Sequence, residues 1–234
     1  MSDWGIYMTG NKKKVVVTGS EGLLGKVICN DLSGYQLIKL DLSLGHDLSD
    51  TDFVNNFFTK EKNIYGLVNL FSINPQPEDE SEDIYSLTKN SIREYIEINT
   101  ISLFHVCQQF AKRNKLGSII NFSSIYGVVS PKHFIYAENF TKHIGYTISK
   151  SSVLGMSKYL STILAPDIRV NTIIPGGVYN NQDKSFVDNY SSMTPMKRLM
   201  HKKEIITAVE YFLDENSSYT TGAELHIDGG WTSW

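Results

Sequence analysis

Short, mostly apolar runs alternate along the chain with longer stretches in which apolar residues recur at helical spacing. Four of the runs are typical of parallel strands that helices cover on both faces: residues 15–17, 66–70, 118–122 and 168–174. Two further short segments are predicted as strands: residues 36–40 and 224–227. Helical spacing predicts one helix from Leu24 onward and others over about residues 52–60, 91–114, 145–164 and 202–213. Such alternation is typical of an α/β fold with a mostly parallel sheet.

Three stretches depart from this regular pattern. Asp47 follows Asp41 by only six residues, which leaves no room for a helix plus a strand, so one α/β unit is contracted there. Residues 75–83 are acidic and contain proline, which predicts a solvated surface loop. A loop that runs through Tyr190 is predicted to precede the last helix.

Composition narrows the class of protein. A length of 234 residues fits one domain, and 41% hydrophobic with 20% charged residues is ordinary for a globular chain. A net charge of −3 gives no reason to expect nucleic acid or an anionic membrane as partner. The two cysteines lie in separate predicted helices without metal-type spacing, and no apolar run reaches the ~18 residues of a membrane span. We therefore expect a reduced, cytoplasmic protein without a metal site.

A glycine-rich turn, residues 18–25, joins the first strand to the first helix. Gly19 permits the tight turn, Gly22 lets the backbone approach a pyrophosphate, and Gly25 lets the helix pack on the strand. The N-terminus of the helix supplies free N–H groups and partial positive charge for phosphates. The alternative is a structural turn with incidental glycines.

Asp41 stands at the end of the second strand, where a carboxylate can accept hydrogen bonds from both ribose hydroxyls of an adenosine. The same carboxylate repels a 2′-phosphate, and the neighbouring turn residues offer no cation for that phosphate, so the pattern favours NAD over NADP. Asp47 and Leu48 are placed to border the adenine. The alternative interpretation of Asp41 is a plain strand-end turn residue.

Three tyrosine–lysine pairs are spaced four residues apart, which on a helix places both side chains on one face. Tyr35/Lys39 lies in a predicted strand, and Tyr85/Lys89 precedes a helix. Tyr146/Lys150 alone lies within a predicted helix and follows Ser123-Ser124 at the end of a strand. A lysine ammonium beside the phenol can lower its pKa from about 10, and a serine hydroxyl can hold a carbonyl or alcohol oxygen. Ser124 is the preferred anchor, and Ser123 is the alternative.

The chain resembles the short-chain dehydrogenase/reductase family over about residues 14–230. The motifs that carry the resemblance are the turn at residues 18–25, Asp41, Asp47-Leu48, Asn99, Asn121-Phe122-Ser123-Ser124, Tyr146/Lys150, Arg169-Val170-Asn171 with Pro175-Gly176-Gly177, and Thr221-Gly222 with Asp228-Gly229-Gly230. The resemblance implies a single Rossmann domain over residues 1–234 with a doubly wound sheet. Substrate-side elements are then expected at about residues 128–145 and 178–200.

The resemblance also implies a catalytic tetrad. Tyr146 would be the general acid/base, and Lys150 would lower its pKa and hold the nicotinamide ribose. Ser124 would anchor the substrate oxygen, and Asn99 would order a water that relays the proton. The cofactor NAD(H) would lie against Gly19, Ser20, Gly22, Leu23, Leu24, Gly25, Asp41, Asp47, Leu48, Asn69, Phe71, Tyr146, Lys150, Pro175, Gly176 and Val178.

The chain departs from the family's usual pattern in three places. Asn69-Leu70-Phe71-Ser72 replaces the usual Asn-Asn-Ala-Gly, so the wall beside the cofactor's ribose is bulkier. The glycine spacing is that of the extended, nucleotide-sugar-modifying branch, whereas the C-terminal segment is that of the short branch. An insertion, residues 131–143, brings five polar side chains to the active-site mouth: His133, Tyr136, Asn139, Lys142 and His143. It is either a surface elaboration or oligomer contact, or part of a polar, carbohydrate-like substrate pocket.

With residues 123–131, the insertion resembles oxidoreductases of bacterial surface-sugar pathways, including flagellin modification and sialic-acid-like sugars. The hypothesis is an NAD-dependent alcohol/ketone oxidoreductase acting on a polar carbohydrate, phosphorylated, nucleotide-linked or of the nonulosonic-acid type. The rivals are an NAD-binding regulatory or scaffold protein and a sugar epimerase or dehydratase with tightly bound NAD. By resemblance, we expect a small-molecule substrate and a homodimer or homotetramer, with Trp231 and Trp234 as contact residues.

Overall fold

Six parallel strands form one sheet in the computed structural model, which describes residues 12–74, 84–136 and 140–234. The strands are β1 (Lys13–Thr18), β2 (Tyr35–Leu40), β3 (Ile64–Asn69), β4 (Gly117–Phe122), β5 (Ile168–Pro175) and β6 (Glu224–Ile227). Their spatial order is β2-β1-β3-β4-β5-β6. The order reverses beside β1, and in open parallel sheets the crevice at the carboxyl ends of the strands at such a point is where ligands bind.

Helices cover both faces of the sheet. They are α1 (Leu23–Asp31), α2 (Thr51–Lys60), α3 (Lys89–Ile96), α4 (Leu103–Arg113), α5 (Ile144–Leu164), α6 (Lys184–Met193) and α7 (Ile206–Leu213). Val16 packs with residues of α2, α4 and α5, whereas Val15 and Val17 pack with residues of α1 and α7, because successive side chains of a strand point to opposite faces. The expected doubly wound Rossmann fold is confirmed.

The largest difference from the sequence prediction is α6, which lies where a loop through Tyr190 was expected. Asp183 begins this helix, since its carboxylate accepts a hydrogen bond from the N–H of Phe186 at 3.0 Å. Phe186 and Tyr190, four residues apart, pack inward, while most of the other residues of the helix are polar. Because so few apolar residues mark the inner face, the helical period is hard to recognise in the sequence.

The predicted helix over residues 91–114 is also divided. α3 and α4 are joined by a π-helical turn, Glu97–Ser102, which contains Asn99. Single π-turns within α-helices are frequent at functional sites. The contraction after β2 is confirmed, because only a 3₁₀ turn, Leu42–Leu44, intervenes between Asp41 and Asp47. The predicted loop at residues 75–83 lies outside the described residues, as does Asn139.

A third buried cluster covers the C-terminal edge of the sheet near β4 and β5. Its members include Ile125, Tyr126, Ile135, Tyr146, Ile174, Tyr190 and Trp231. Trp231 is 1% exposed and stacks on the ring of Tyr190 with 4.3 Å between centroids, so its expected role as an oligomer contact is wrong. Trp234 is 69% exposed.

Some features are not observed in the part of the chain that the structure describes. None of its helices combines the length and the apolar character needed to cross a bilayer. Within the same residues, histidines, cysteines and carboxylates form no group of three or more that could hold a metal ion. Cys29 and Cys107 are both free thiols.

Candidate active site

The turn after β1 requires glycine at two positions. Gly19 has φ +64°, and a Cβ there would lie 2.6 Å from the backbone nitrogen of Phe71. A Cβ on Gly25 would lie 2.1 Å from the carbonyl oxygen of Gly19, so α1 packs on the turn only if position 25 has no side chain. The predicted roles of these two glycines in turn formation and helix packing are thus explained by the geometry.

The N-terminus of α1 opens toward the crevice beside β1 and is suited to an anion. Gly22 occupies the N-cap position and no side chain caps the helix, so the amide groups of its first turn have no side-chain acceptor. The hydroxyl of Ser20 is buried and has no hydrogen-bond partner among the described residues. Leu23 begins the helix, and Leu24 packs against the cluster under α1 and α7. These features fit a dinucleotide pyrophosphate.

Asp41 connects the end of β2 to this turn. One carboxylate oxygen accepts a hydrogen bond from the N–H of Glu21 at 2.9 Å, and the other accepts bonds from the N–H and hydroxyl of Ser43 at 2.9 and 2.7 Å. Burial raises the pKa of Asp41, but these hydrogen bonds and nearby Lys26 outweigh it, so the pKa is lowered. The carboxylate is therefore charged at neutral pH.

Asp47 and Leu48 differ in exposure. The carboxylate of Asp47 is exposed and accepts hydrogen bonds from the N–H and hydroxyl of Ser49 at 2.9 and 2.6 Å. These bonds lower the pKa of Asp47. Leu48 is buried in the cluster with Phe58, under α2. Contact of the two residues with an adenine stays a prediction.

Asn69 uses its side chain for hydrogen bonds within the protein. Its side chain is 2% exposed and accepts a hydrogen bond from Thr18 at 3.2 Å while donating one to Asn121 at 2.9 Å. Asn121 in turn donates to the hydroxyl of Ser157 on α5 at 2.9 Å. The side chain therefore belongs to a polar network that ties β1, β3, β4 and α5 together, and contact of Asn69 with the cofactor stays a prediction. The backbone of Phe71 does lie against Gly19.

The predicted catalytic pair lies within one helix. Tyr146 and Lys150 are one turn apart on α5, and both are buried. The Nζ atom of Lys150 lies 5.8 Å from the centre of the Tyr146 ring and donates a hydrogen bond to the carbonyl of Phe122 at 3.1 Å. Phe122 ends β4, so this bond holds the lysine at the C-terminal edge of the sheet. The side chains of Ser124 and Tyr146 are hydrogen-bonded.

The pKa of Tyr146 moves in the direction opposite to the sequence expectation. Burial raises it, and the hydrogen bond with Ser124 offsets part of the rise. Burial also lowers the pKa of Lys150 to about 8. Each direction follows because burial disfavours the charged form of the group. Removal of the phenol from water thus outweighs its attraction to a lysine that is itself desolvated and bonded to a carbonyl.

The two serines at the end of β4 have different partners. Ser123 donates a hydrogen bond to the main-chain carbonyl of Lys150 at 2.7 Å, so its hydroxyl holds α5 against the strand. Ser124 accepts a bond from the N–H of Tyr126 at 3.1 Å and faces the Tyr146 hydroxyl. This geometry favours Ser124 over Ser123 as the anchor for a substrate oxygen.

Asn99, in the π-helical turn, uses its side chain to join separate segments. It accepts a hydrogen bond from the N–H of Ile73 at 2.8 Å and donates to the Ile73 carbonyl and to the hydroxyl of Ser149, each at 3.0 Å. Both amide protons are therefore engaged with protein groups. The amide holds the segment after β3 against α5, and the ordering of a water by this residue stays a prediction.

The insertion packs over the catalytic helix. Tyr136 shares a hydrogen bond with Tyr126 at 2.7 Å between hydroxyl oxygens, and its ring contacts Phe186 of α6. Lys142 is buried, and its Nζ atom lies 4.7 Å from the centre of the Tyr146 ring. His143 caps α5 by accepting a hydrogen bond from the N–H of Gly145 at 3.0 Å. The insertion therefore contributes to the surroundings of the candidate acid/base.

The segment after β5 forms a second wall. Pro175 ends the strand, the N–H of Gly176 donates to the carbonyl of Ile227 at 3.0 Å, and Val178 forms a parallel bridge with Met200. A cavity of about 530 Å³ lies on one side of this turn, and Gly176, Met200, Tyr190 and Asp228 are among its lining residues. Ser124, Tyr146 and Lys150 do not line it.

Sequence reasoning missed several residues that position the site. Asn74 binds Lys142, Asn121 binds Asn69 and Ser149 binds Asn99 through their side chains, and Ser157 binds Asn121. Asn121 and Ser157 have a recognisable signal, because each is a polar residue at an inward-facing position of an otherwise apolar strand or helix. Asn74 has no such local signal.

A dinucleotide-binding Rossmann α/β protein, with a serine–tyrosine–lysine cluster at the carboxyl edge of its sheet, is thus defined by fold and site together. A family model described as "Enoyl-(Acyl carrier protein) reductase" matches residues 36–232. The chain belongs to the short-chain dehydrogenase/reductase family of oxidoreductases.

Three similar proteins illustrate the range of the family. An NADH-dependent L-xylulose reductase of Ambrosiozyma monospora is 29% identical over 80% of this chain and 72% of its own length. The post-translational flagellin modification protein A of Campylobacter coli is 26% identical over 94% of this chain and 98% of its own. A short-chain dehydrogenase of Leptospira borgpetersenii, solved with bound NAD⁺, is 27% identical with a TM-score of 0.84 over 95% of this chain and 93% of its own.

Proposed function

We propose that this protein is an NAD(H)-dependent oxidoreductase that interconverts a secondary alcohol and a ketone on a polar, carbohydrate-type substrate. The observation that carries the proposal is the cluster of Ser124, Tyr146 and Lys150 at the carboxyl edge of the sheet, the same edge at which the glycine turn follows β1. The cofactor, when bound, supplies or accepts the hydride.

The chain's own residues handle the substrate oxygen and its proton. Ser124 donates a hydrogen bond to the oxygen, which holds it against the hydroxyl of Tyr146. In reduction, Tyr146 gives its proton to the oxygen as the carbonyl becomes an alcohol, and in oxidation it takes the proton back. Lys150 lies on the same face of α5 as Tyr146, and its Nζ atom donates a hydrogen bond to the carbonyl of Phe122. From this position it would hold the nicotinamide ribose.

Asp41 supports NAD rather than NADP. Its charged carboxylate lies at the end of β2, next to the N–H of Glu21, where a ribose 2′-phosphate would be repelled. Lys26, whose charge also acts on Asp41, is 3.9 Å from the carboxylate of Glu21, which competes for its charge. Dependence on NADH in the xylulose reductase and bound NAD⁺ in the leptospiral structure support the same choice.

Cofactor competition tests this choice. We expect NADH to outcompete NADPH, and Asp41→Ala to reduce the preference for NADH, because the repelling charge is lost. Asp52→Ala, which removes an exposed carboxylate from the first turn of α2, is the control and should keep the preference. Stronger binding of NADPH by the wild-type protein would refute the argument from Asp41.

A carbohydrate substrate is supported by the polar groups around Tyr146 and by relatives. Tyr126 and Tyr136, which carry hydroxyl groups, belong to the buried cluster that contains Tyr146. The ammonium of Lys142, from the insertion, lies at the ring of Tyr146. The xylulose reductase acts on a sugar, and the second relative takes part in flagellin modification. An acyl-carrier substrate, which the description of the family model names, is the main competitor.

The direct test follows the absorbance of NADH with a panel of substrates. The panel contains pentuloses, polyols, phosphorylated sugars, nucleotide sugars and nonulosonic acids, with a β-ketoacyl thioester as the competitor. We expect turnover with a sugar and a loss of about 10²–10⁴-fold for Tyr146→Phe. Tyr219→Phe, the same change at an exposed tyrosine, is the matched control.

Other outcomes would support the rival functions. Binding of NAD without turnover of any panel member would favour a regulatory or scaffold protein. Conversion of a sugar without net change in NADH would favour an epimerase or dehydratase. Full activity of Tyr146→Phe would refute the proposed acid/base.

Self-association is part of the proposal. Several large apolar side chains are exposed along α5, in the π-helical turn and at the start of α4: Ile101, Phe104, Ile148, Tyr159 and Ile163. An apolar surface of this kind favours burial against a second copy of the chain. We expect a homodimer or homotetramer, measured by sedimentation equilibrium, and Ile163→Lys should shift it toward monomer. A monomeric wild-type protein would contradict this expectation.

A further inference from the structure

Lys142 is placed unusually close to the candidate acid/base. Its Nζ atom lies 4.7 Å from the centre of the Tyr146 ring, compared with 5.8 Å for Lys150. The residue is only 9% exposed, although lysine is rarely buried in proteins without a specific reason. It comes from the insertion at residues 131–143, immediately before α5.

Hydrogen bonds to described residues fix this lysine. Its ammonium donates a hydrogen bond to the side-chain oxygen of Asn74 at 2.6 Å, and its main-chain N–H donates to Nδ1 of His133 at 3.3 Å. Asn74 follows Ile73, whose main-chain groups are held by Asn99. The position of the ammonium is therefore coupled to the π-helical turn that also holds α5.

We propose that Lys142 is a positioning residue for the proton transfer: its ammonium, held by Asn74 beside the ring of Tyr146, stabilises the tyrosinate form. A cation near the face of an aromatic ring is attracted to it, and the attraction grows when deprotonation places negative charge on the ring. The inference rests on the proposed function of Tyr146 as general acid/base. It adds a second lysine, from the insertion, to the one on α5.

Other titratable groups lie around Tyr146. Among the described residues they include Tyr95, Tyr126, Tyr136, Tyr190, His133 and His143. Burial raises the pKa of Tyr126, Tyr136 and Tyr190, that of Tyr136 to about 12. Nδ1 of each histidine accepts a main-chain hydrogen bond. Among the described residues, Lys142 and Lys150 place their ammonium groups 4.7 and 5.8 Å from the centre of the ring.

The pH profile of turnover tests the proposal. Loss of the charge in Lys142→Met should raise the pKa of Tyr146, so the rising limb of alcohol oxidation moves to higher pH. An opposite charge within ~4–6 Å shifts a pKa by ~1–3 units, and we expect about one unit. At a fixed pH below the limb, oxidation then slows about tenfold, because tenfold less tyrosinate is present.

Two further variants separate the charge from packing. Lys142→Arg keeps a cation near the ring and should keep the limb within a few tenths of a unit of the wild type. Lys132→Met is the matched control, because Lys132 lies in the same insertion, 4.8 Å from the centre of the ring of Trp231, which does not titrate. Its limb should stay in place. An unmoved limb in Lys142→Met, or an equal shift in Lys142→Arg, would overturn the proposal.

Tyrosine NMR keeps this test independent of the substrate. The Cζ signal of Tyr146 in protein with ¹³C-labelled tyrosine, assigned by its absence in Tyr146→Phe, reports the titration directly. A higher midpoint in Lys142→Met supports the inference even when no sugar in the panel reacts. An unchanged midpoint overturns it even when sugar turnover and the Tyr146 role are established. Thermal melting of each variant verifies that the fold is retained.

Discussion

Asn99 binds both main-chain groups of Ile73, accepting from its N–H at 2.8 Å and donating to its carbonyl at 3.0 Å. The remaining amide proton goes to the hydroxyl of Ser149, the neighbour of Lys150 on α5. One side chain thus joins the exit of β3 to the helix that carries the candidate acid/base. The sequence predicts that Asn99 orders a water for a proton relay. In the structure, its side chain connects two segments of the chain.

Loss of this junction should destabilise the protein. Asn99→Ala leaves the main-chain groups of Ile73 without their partner, and a buried polar group without a hydrogen bond costs about 1–3 kcal/mol. We expect a fall of that size in the free energy of unfolding, measured by urea titration. Asn90→Ala, at an exposed position of α3, should change it by less than about 0.5 kcal/mol. Equal effects of the two substitutions would contradict the junction.

Substitution of glycine by alanine should have opposite effects in the turn after β1 and on the exposed side of α5. Gly25→Ala would place a Cβ 2.1 Å from the carbonyl oxygen of Gly19, so the turn and α1 must separate. We expect a lower melting temperature and loss of NADH fluorescence enhancement on binding. Gly155→Ala, on the exposed side of α5 with no atom within 4 Å of the added Cβ, should stabilise by about 0.5–1 kcal/mol. A tolerated Gly25→Ala would show that the close contact is unnecessary.

Burial of Lys150 has a measurable cost in stability. Its pKa of about 8 in the folded protein lies below the ordinary 10.5, so between these values the unfolded chain binds more protons and stability rises with pH. Lys150→Met removes this cost and should be more stable than the wild type at pH 7, by up to about 3 kcal/mol. The advantage should shrink as pH rises from 8 toward 10.5. Urea unfolding at pH 7 and 9.5 measures it, and an advantage that grows with pH would contradict the assignment.

Substitutions of the two serines at the end of β4 should differ in their effect on turnover. Ser124→Ala removes the hydrogen bond to the substrate oxygen, so we expect turnover to fall about 10²–10³-fold. It also removes the bond from the N–H of Tyr126, which should cost about 1 kcal/mol of stability. Ser123→Ala removes the bond to the carbonyl of Lys150, which should cost about 1 kcal/mol of stability and leave turnover closer to the wild type. Steady-state kinetics and urea unfolding of both variants test the assignment. A larger loss of turnover in Ser123→Ala would reverse it.

Much of the fold could be predicted from local patterns. Apolar runs, helical spacing and the glycine turn are each encoded within about twenty residues, so β1–β6 and most helices were recognised with small errors at their ends. Of the three tyrosine–lysine pairs, Tyr146/Lys150 is the one that lies within a helix, as the sequence predicted. Tyr85 is 93% exposed in a turn before α3, and Tyr35 lies in β2.

The sequence alone therefore determined the class of fold, the contraction after β2 and the stretch that carries the candidate chemistry. Only the tertiary structure decided that Asn69 faces the interior, that Ser123 holds α5, and that residues 184–193 form a helix. It also brought Lys142 to Asn74, 68 residues away in sequence, and to the ring of Tyr146. Such contacts depend on distances between separate segments, and no local pattern of residues encodes those distances.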